Sequence, residues 1–204
     1  MENKIIKQLI QQFGKLPGVN SRQSKKIVSY MLDGLSNGMI DIENMISALG
    51  RVKSDIRECS RCSNVIIGEE KCFICKKDER FQFKTICIVE NLYELWRISG
   101  LTSLDSSFHV LGGIISAVNG ISPDMLNTNN LIERIYNEDV SEVLIALNKS
   151  YNSSITTNYL IELLKKKFPY LRLSTLAGGL PSGAELDFID DKTLELAINN
   201  RVVC

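Results

Sequence analysis

Apolar residues in the first third of the chain recur at helical spacing. Ile5, Ile6, Leu9, Ile10 and Phe13 predict an amphipathic helix over residues 4–13. The pattern breaks at Gly14–Gly18 around Pro17, and Ser21 is placed to cap a second helix running through Lys25 to Leu32. Asp41 is placed to start a third, bearing Ile42, Met45, Ile46 and Leu49. A short charged segment rich in cysteine follows. It has no period of its own and reads as a knuckle between two larger parts.

From residue 85 the pattern becomes an alternation of strands and helices. Thr85–Val89 is a β-branched run, Leu92–Ile98 has helical spacing, and Phe108–Leu111 is a short strand ending at Gly112–Gly113. Leu131–Tyr136 reads as helix, Glu142–Leu147 as strand, Ile155–Phe168 as an amphipathic helix and Leu171–Leu176 as a last strand. Leu186–Ile189 reads as a strand entering a final helix over Lys192–Asn199, with Asp190 and Asp191 as its caps. Strands that alternate with helices predict a parallel sheet covered by helices, so the fold class is α/β. Trp96, on the first helix of this part, is expected to pack in the core, and Cys87 to be a small core residue.

Composition narrows the class. A chain of 204 residues, 44% hydrophobic and 24% charged, resembles an ordinary water-soluble globular protein. It has no apolar run near the ~20 residues of a membrane span and no apolar leader after Met1, so the expected location is the cytosol, with no membrane partner. The zero net charge hides a skew: residues 1–57 carry nine Lys/Arg against five acids, and residues 85–204 nine against fourteen. A polyanion would meet the N-terminal end. Six cysteines in a reducing compartment argue against a disulfide framework.

Two motifs carry chemistry. Cys59-x2-Cys62-x9-Cys72-x2-Cys75 sets two pairs of thiols two residues apart, a spacing that turns all four sulfurs onto one tetrahedral zinc ion. Four protein ligands leave no open position, so such an ion is structural. Leu16-Pro17-Gly18-Val19-Asn20, followed by Arg22, Lys25 and Lys26, is a turn able to aim backbone N–H groups at a phosphate, with Arg22 and Lys26 sharing a helix face. From spacing alone, a DNA-gripping helix-hairpin-helix and a plain interhelical turn both remain open. Other candidates carry less. His109, the single histidine, sits in an apolar strand pattern and reads as core. Gly178–Gly183 lacks the Lys-Ser/Thr of a phosphate-binding loop. Cys204, at the very end, is assigned no role.

In order along the chain, Leu16-Pro17-Gly18-Val19, the four cysteines and Ile86-Cys87-Ile88-Val89-Glu90 resemble the RecR family of bacterial recombination proteins. The similarity continues through His109–Ser116, Gly120–Pro123 and Glu142–Asn148 to Leu176–Leu186. The resemblance implies four parts: a helix-hairpin-helix over 1–57, a four-cysteine zinc finger over 58–76, a Toprim domain over 82–177 and a C-terminal oligomerisation segment over 178–204. It implies Cys59, Cys62, Cys72 and Cys75 as ligands of one structural Zn2+. It also implies Arg22 and Lys26 as DNA-contacting bases, beside Gly18 and Lys25 of the same hairpin. As partners it implies DNA at gaps or single-strand/double-strand junctions without sequence preference, the proteins RecO and RecF, and copies of the chain itself in a dimer or tetrameric ring. The role implied is loading of the RecA recombinase onto single-stranded gaps.

Departures from the family pattern matter as much. Asn20 stands where the hairpin has a second glycine, and a left-handed Asn would let the turn survive. Ala117 and Ser122 replace a Pro and a Gly. Catalytic Toprim enzymes hold Mg2+ with a Glu and a later Asp-x-Asp. Here Glu90 fills the first position, but Asn148 and Ser150 fill the second. Phosphoryl-transfer chemistry is therefore not expected, and Glu90 is expected to accept backbone N–H groups at its strand end. Three readings are carried forward: a non-catalytic DNA clamp, a Mg-dependent Toprim nuclease, primase or topoisomerase, and an adaptor that meets DNA only through its partner.

Overall fold

The computed structural model describes residues 3–38, 41–69, 72–76, 84–101, 106–180 and 183–199. The chain divides into two compact units, residues 1–56 and 57–204.

The first unit is helical: α1 (Lys4–Phe13), α2 (Ser21–Ser36) and α3 (Ile42–Asp55). Asn3 starts α1 by accepting the Ile5 amide at 2.9 Å. α2 begins behind Asn20 rather than Ser21, because Asn20 and Gln23 close a reciprocal capping box. The Asn20 carboxamide accepts the Arg22 and Gln23 amides, and the Gln23 side chain accepts the Asn20 amide at 2.8 Å. Asp41 starts α3 as expected, accepting the Asn44 amide. Ser24 and Val28 are buried in the α1–α2 hairpin, with Ile6, Ile10, Phe13 and Ile27 half-buried around them. α3 buries no residue, and Met45, Ile46, Leu49 and Val52 lie exposed on it.

Leading into the second unit, β1 (Ile56–Glu58) is followed by β2 (Val65–Ile67) and the single turn α4 (Phe73–Lys76), which together form the cysteine knuckle. A four-stranded sheet follows, built from β3 (Thr85–Val89), β4 (Ser107–Val110), β5 (Glu142–Ile145) and β6 (Arg172–Thr175) in the order β4-β3-β5-β6. Every pairing in it is parallel. The crossovers run through α5 (Leu92–Ser99), α6 (Thr128–Asn137) and α7 (Tyr151–Lys167), and α8 (Asp191–Asn199) closes the described chain.

Register sorts the two faces of the sheet. Ile86 and Ile88 share a face with Val143 and Ile145, packed with Leu131 and Ile135 of α6 and Leu160 and Leu164 of α7. Cys87, Val89, Phe108 and Val110 share the other, packed with Leu95 of α5 and with the cysteine knuckle itself. Being buried on both sides is why β3 reads as an unbroken apolar run.

Three further expectations do not hold. Trp96 is 57% exposed, because the inward stripe of α5 passes through Leu95 instead. Leu186–Phe188 is a tight turn rather than a strand; the Phe188 amide closes back on the Glu185 carbonyl, and Asp190 then caps α8 by accepting the Thr193 amide. α7 starts at Tyr151, four residues before its apolar pattern, because Ser150 caps it and its buried stripe begins on Ser153 and Thr156. Cys204 lies outside the described residues, as do Pro181 and Ser182 of the glycine-rich loop. Among the described residues no helix is long and apolar enough to cross a membrane.

His109 is fully buried on β4, with Nε2 2.8 Å from the Asn127 carbonyl oxygen. Burial, reinforced by the nearby Arg134, lowers its pKa from 6.5 to about 4. The unfolded chain therefore takes up a proton between those values while the folded one does not, so stability falls as pH drops through that window. The span corresponds to about 3 kcal/mol. Denaturant melts from pH 7 to pH 4 are expected to show this loss, and His109→Gln should remove most of that slope.

Candidate metal centre and nucleic-acid interface

Each pair of cysteines sits in a tight backbone turn. In the first, the Ser63 amide donates to the Cys59 carbonyl and the Cys59 amide to the Asn64 carbonyl, at 2.9 and 2.7 Å. Closing this loop puts Ser63 at φ 55°, a left-handed conformation that costs a residue with a Cβ. In the second, α4 carries Cys75 one turn beyond Cys72, and the Cys75 amide donates to the Cys72 sulfur at 3.3 Å. The four Sγ atoms all lie within 4.8 Å of one another, with Cys62–Cys72 at 3.3 Å and Cys59–Cys75 at 4.0 Å. Thiolates around a tetrahedral ion at ~2.3 Å sit about 3.8 Å apart, so the cluster has the size and softness to hold one metal ion. All four are buried, and four thiolates fill the coordination of a tetrahedral ion without a water ligand. Packed this closely, the thiols titrate together: hydrogen bonds within the cluster hold Cys72 below the ordinary thiol value and push Cys62 above it.

The knuckle is fastened to the sheet by polar contacts that leave no mark in the sequence pattern. The Val110 amide at the end of edge strand β4 donates to the Cys62 carbonyl at 2.8 Å, and Asn130 of α6 donates to the Ser63 hydroxyl. Between the cysteines, Arg61 forms a two-pronged ion pair with Glu138 at 2.6 and 2.8 Å, while its Nη1 points at the Cys75 sulfur, 3.7 Å away. Arg134 holds the same carboxylate at 2.9 Å and donates to the Phe108 carbonyl from a buried position. Burial works against the charge on Glu138, yet Arg61 and Arg134 hold its pKa below the ordinary carboxylate value of 4.5. The stability this linkage provides is present above pH 4.5 and is lost as pH falls through the lower folded value. Glu138→Ala leaves the Arg134 guanidinium buried without a counter-charge and is expected to cost about 2–4 kcal/mol. Denaturant melts check this, and Glu138→Gln should recover part of the loss.

In the helical unit, Arg22, Lys25 and Lys26 stand exposed on the first turns of α2, with no acidic partner among the described residues. Gly18 takes φ +76° with open space around it, which is where the turn needs glycine. Asn20 does not replace a glycine by going left-handed. Its φ is −84° and ψ 173°, and its value to the turn is the cap it places on α2. That cap occupies the amides of Asn20, Arg22 and Gln23; the Gly18 and Ser21 amides have no acceptor among the described residues.

At the C-terminal ends of β3 and β5, where a Toprim enzyme would gather its carboxylates, Glu94 occupies the centre. Its carboxylate accepts the Glu90 amide at 3.2 Å and the Asn148 side-chain amide at 2.6 Å. The backbone-binding role expected of Glu90 thus belongs to Glu94, because α5 brings it one turn back over the strand end. Burial, then the charge of Glu94, raises the pKa of Glu90. Ser150 is committed to capping α7. Among the described residues, the four cysteines are the one group of three or more His, Cys, Asp or Glu side chains placed to hold a metal.

The family model described as "Toprim domain" matches residues 84–174, which span β3 to β6, and the one described as "RecR, C-terminal" matches residues 179–202. The chain is 34% identical over 198 residues to "Recombination protein RecR" of Ehrlichia canis, covering 97% of this chain and 98% of that one. Proteins of the same name from Cereibacter sphaeroides and Prochlorococcus marinus are 33% and 32% identical, over 96% and 97% of this chain and 95% and 96% of theirs.

Proposed function

The chain belongs to the RecR family of recombination proteins, and on that premise we propose that it is a non-catalytic, zinc-stapled DNA clamp that serves recombination repair. In this reading Cys59, Cys62, Cys72 and Cys75 hold one Zn2+. Their all-thiolate donor set and tetrahedral spacing favour zinc over harder cations. Gly18, Arg22, Lys25 and Lys26 hold the DNA backbone at gaps and junctions without reading bases. RecO and RecF are the working partners, and the outcome is loading of RecA in the cytosol. The exposed apolar residues of α3, Met45, Ile46, Leu49 and Val52, favour assembly of several copies, with residues 178–204 as a second assembly segment. Assembly multiplies weak phosphate contacts into avidity.

The observation that carries the non-catalytic reading is the donor set at the strand ends. Asn148 and Ser150 bring no charge, and Glu94 is tied to Asn148 and the Glu90 amide. A pair of Mg2+ ions for phosphoryl transfer needs more carboxylates than Glu90 and Glu94 supply. The test is Glu90→Ala alongside the unaltered chain, titrated with gapped DNA in Mg2+ at low and moderate salt. Equal binding by both, weakening steeply with salt, is the expected result. Turnover of DNA that disappears in Glu90→Ala would replace the clamp with an enzyme. Absence of binding at low salt would leave the adaptor reading.

A further inference from the structure

We propose that the turn between α7 and β6 is a second DNA contact, a stacking platform for one unpaired base flanked by phosphate-binding cations. The proposal rests on the DNA-binding reading above but concerns a separate surface, on the second unit.

The second unit is acidic, yet four of the nine Lys/Arg in residues 85–204 fall within eight positions: Lys165, Lys166, Lys167 and Arg172. No acid occurs between Glu162 and Glu185. The three lysines are exposed, and no ion pair engages them among the described residues. Arg172 has a side chain 78% exposed, with only a 3.8 Å approach to Glu142, whose other oxygen accepts the Ser174 hydroxyl at 2.6 Å. The C-terminal end of a helix favours cations, and that accounts for lysines in the last turn. It does not account for the exposed aromatic residue in the turn beyond the helix.

Phe168 is buried in the main core and Leu171 is buried three residues on, so the intervening Pro169-Tyr170 is pinned at both ends. Between them Tyr170 is 75% exposed. Its ring meets Phe168 edge to face, with centroids 6.4 Å apart and planes at 79°. An aromatic ring braced on the core and left open to solvent, directly after three exposed lysines with no ion pair among the described residues, matches the demands of single-stranded DNA. A base stacks on the ring and the adjoining phosphates meet the lysines. A duplex keeps its bases stacked inside and offers the ring nothing. The platform lies at the N-terminal ends of the parallel strands, whereas Glu90 and Asn148 lie at the opposite ends, so it is no remnant of a Toprim metal site.

The experiment uses the full-length chain, with fluorescence anisotropy on a labelled oligothymidine and on a duplex of equal length across a salt series. Tyr170→Ser is expected to weaken single-strand binding about tenfold while leaving duplex binding unchanged, and Tyr170→Phe to restore it. Replacing all three lysines by Gln should lower the slope of log affinity against log salt by about 2 on the single strand. Wild-type single-strand affinity and slope in both altered proteins would overturn the proposal, and so would equal weakening of duplex and single strand by Tyr170→Ser. If Arg22→Ala/Lys26→Ala loses binding in that same series, the clamp reading survives the loss of the platform. If the unaltered chain binds neither DNA, both fall.

Discussion

Cys62→Ser is expected to yield a chain without its metal and without a folded knuckle. The elements around the cysteines are too short to stand alone: β1 and β2 have three residues each, and α4 has four. A structural zinc ion at such a site typically supplies ~10 kcal/mol or more, which far exceeds what Ile66 and Ile74 can contribute by burial. Damage should spread into the sheet by identifiable routes. The Val110 amide loses the Cys62 carbonyl, Asn130 loses Ser63, and the Cys87–Val89–Phe108–Val110 face loses its cover. Metal analysis should find about one zinc per unaltered chain and none in Cys62→Ser. Hydrogen exchange should report lost protection through residues 59–76 and along β4. Cys87→Ala, on the same sheet face but outside the cluster, should keep its zinc. A Cys62→Ser chain with a full complement of zinc would remove these thiols as the ligand set.

The second large effect is expected from Arg22→Ala/Lys26→Ala. Both side chains are exposed and neither supports the α1–α2 hairpin, whose packing rests on Ser24, Val28 and the half-buried apolar residues of α1. The altered protein should therefore melt as the unaltered one does. On the proposed clamp each chain would lose two phosphate contacts, and the loss would repeat in every copy of an assembly. Affinity for gapped DNA at low salt is expected to fall well over tenfold, and the salt dependence to flatten by roughly 2 in log–log slope per chain engaged. Unchanged affinity would take the hairpin out of the mechanism.

Much of this architecture is legible in the sequence, for physical reasons that also mark where legibility stops. The strands of a parallel sheet are covered on both faces, so Ile86–Val89 has to be apolar throughout. The cysteines are legible because each half of the site lies within one local turn. The first turn of α7 escapes the apolar pattern because its buried positions are Ser153 and Thr156, which satisfy their polar atoms locally. Asn20 looks like a glycine substitute by position, yet its side chain is the informative part. Trp96 misleads because size is no guide to which side of a helix faces inward. The Arg61–Glu138 pair spans 77 residues, and its charges look like any other surface charges until α6 and the knuckle are brought together. Glu94 is hidden beside Glu90 for a related reason: only the return of α5 over the strand end shows which carboxylate meets the backbone.

The clamp we propose holds DNA and leaves it intact. It is tested most directly by incubating the purified protein with end-labelled gapped DNA and Mg2+, then running one sample on native and denaturing gels. A retarded complex on the native gel, with full-length, unextended strands on the denaturing one, is the expected result. Cut or extended strands, or no retarded complex at low salt, would contradict it.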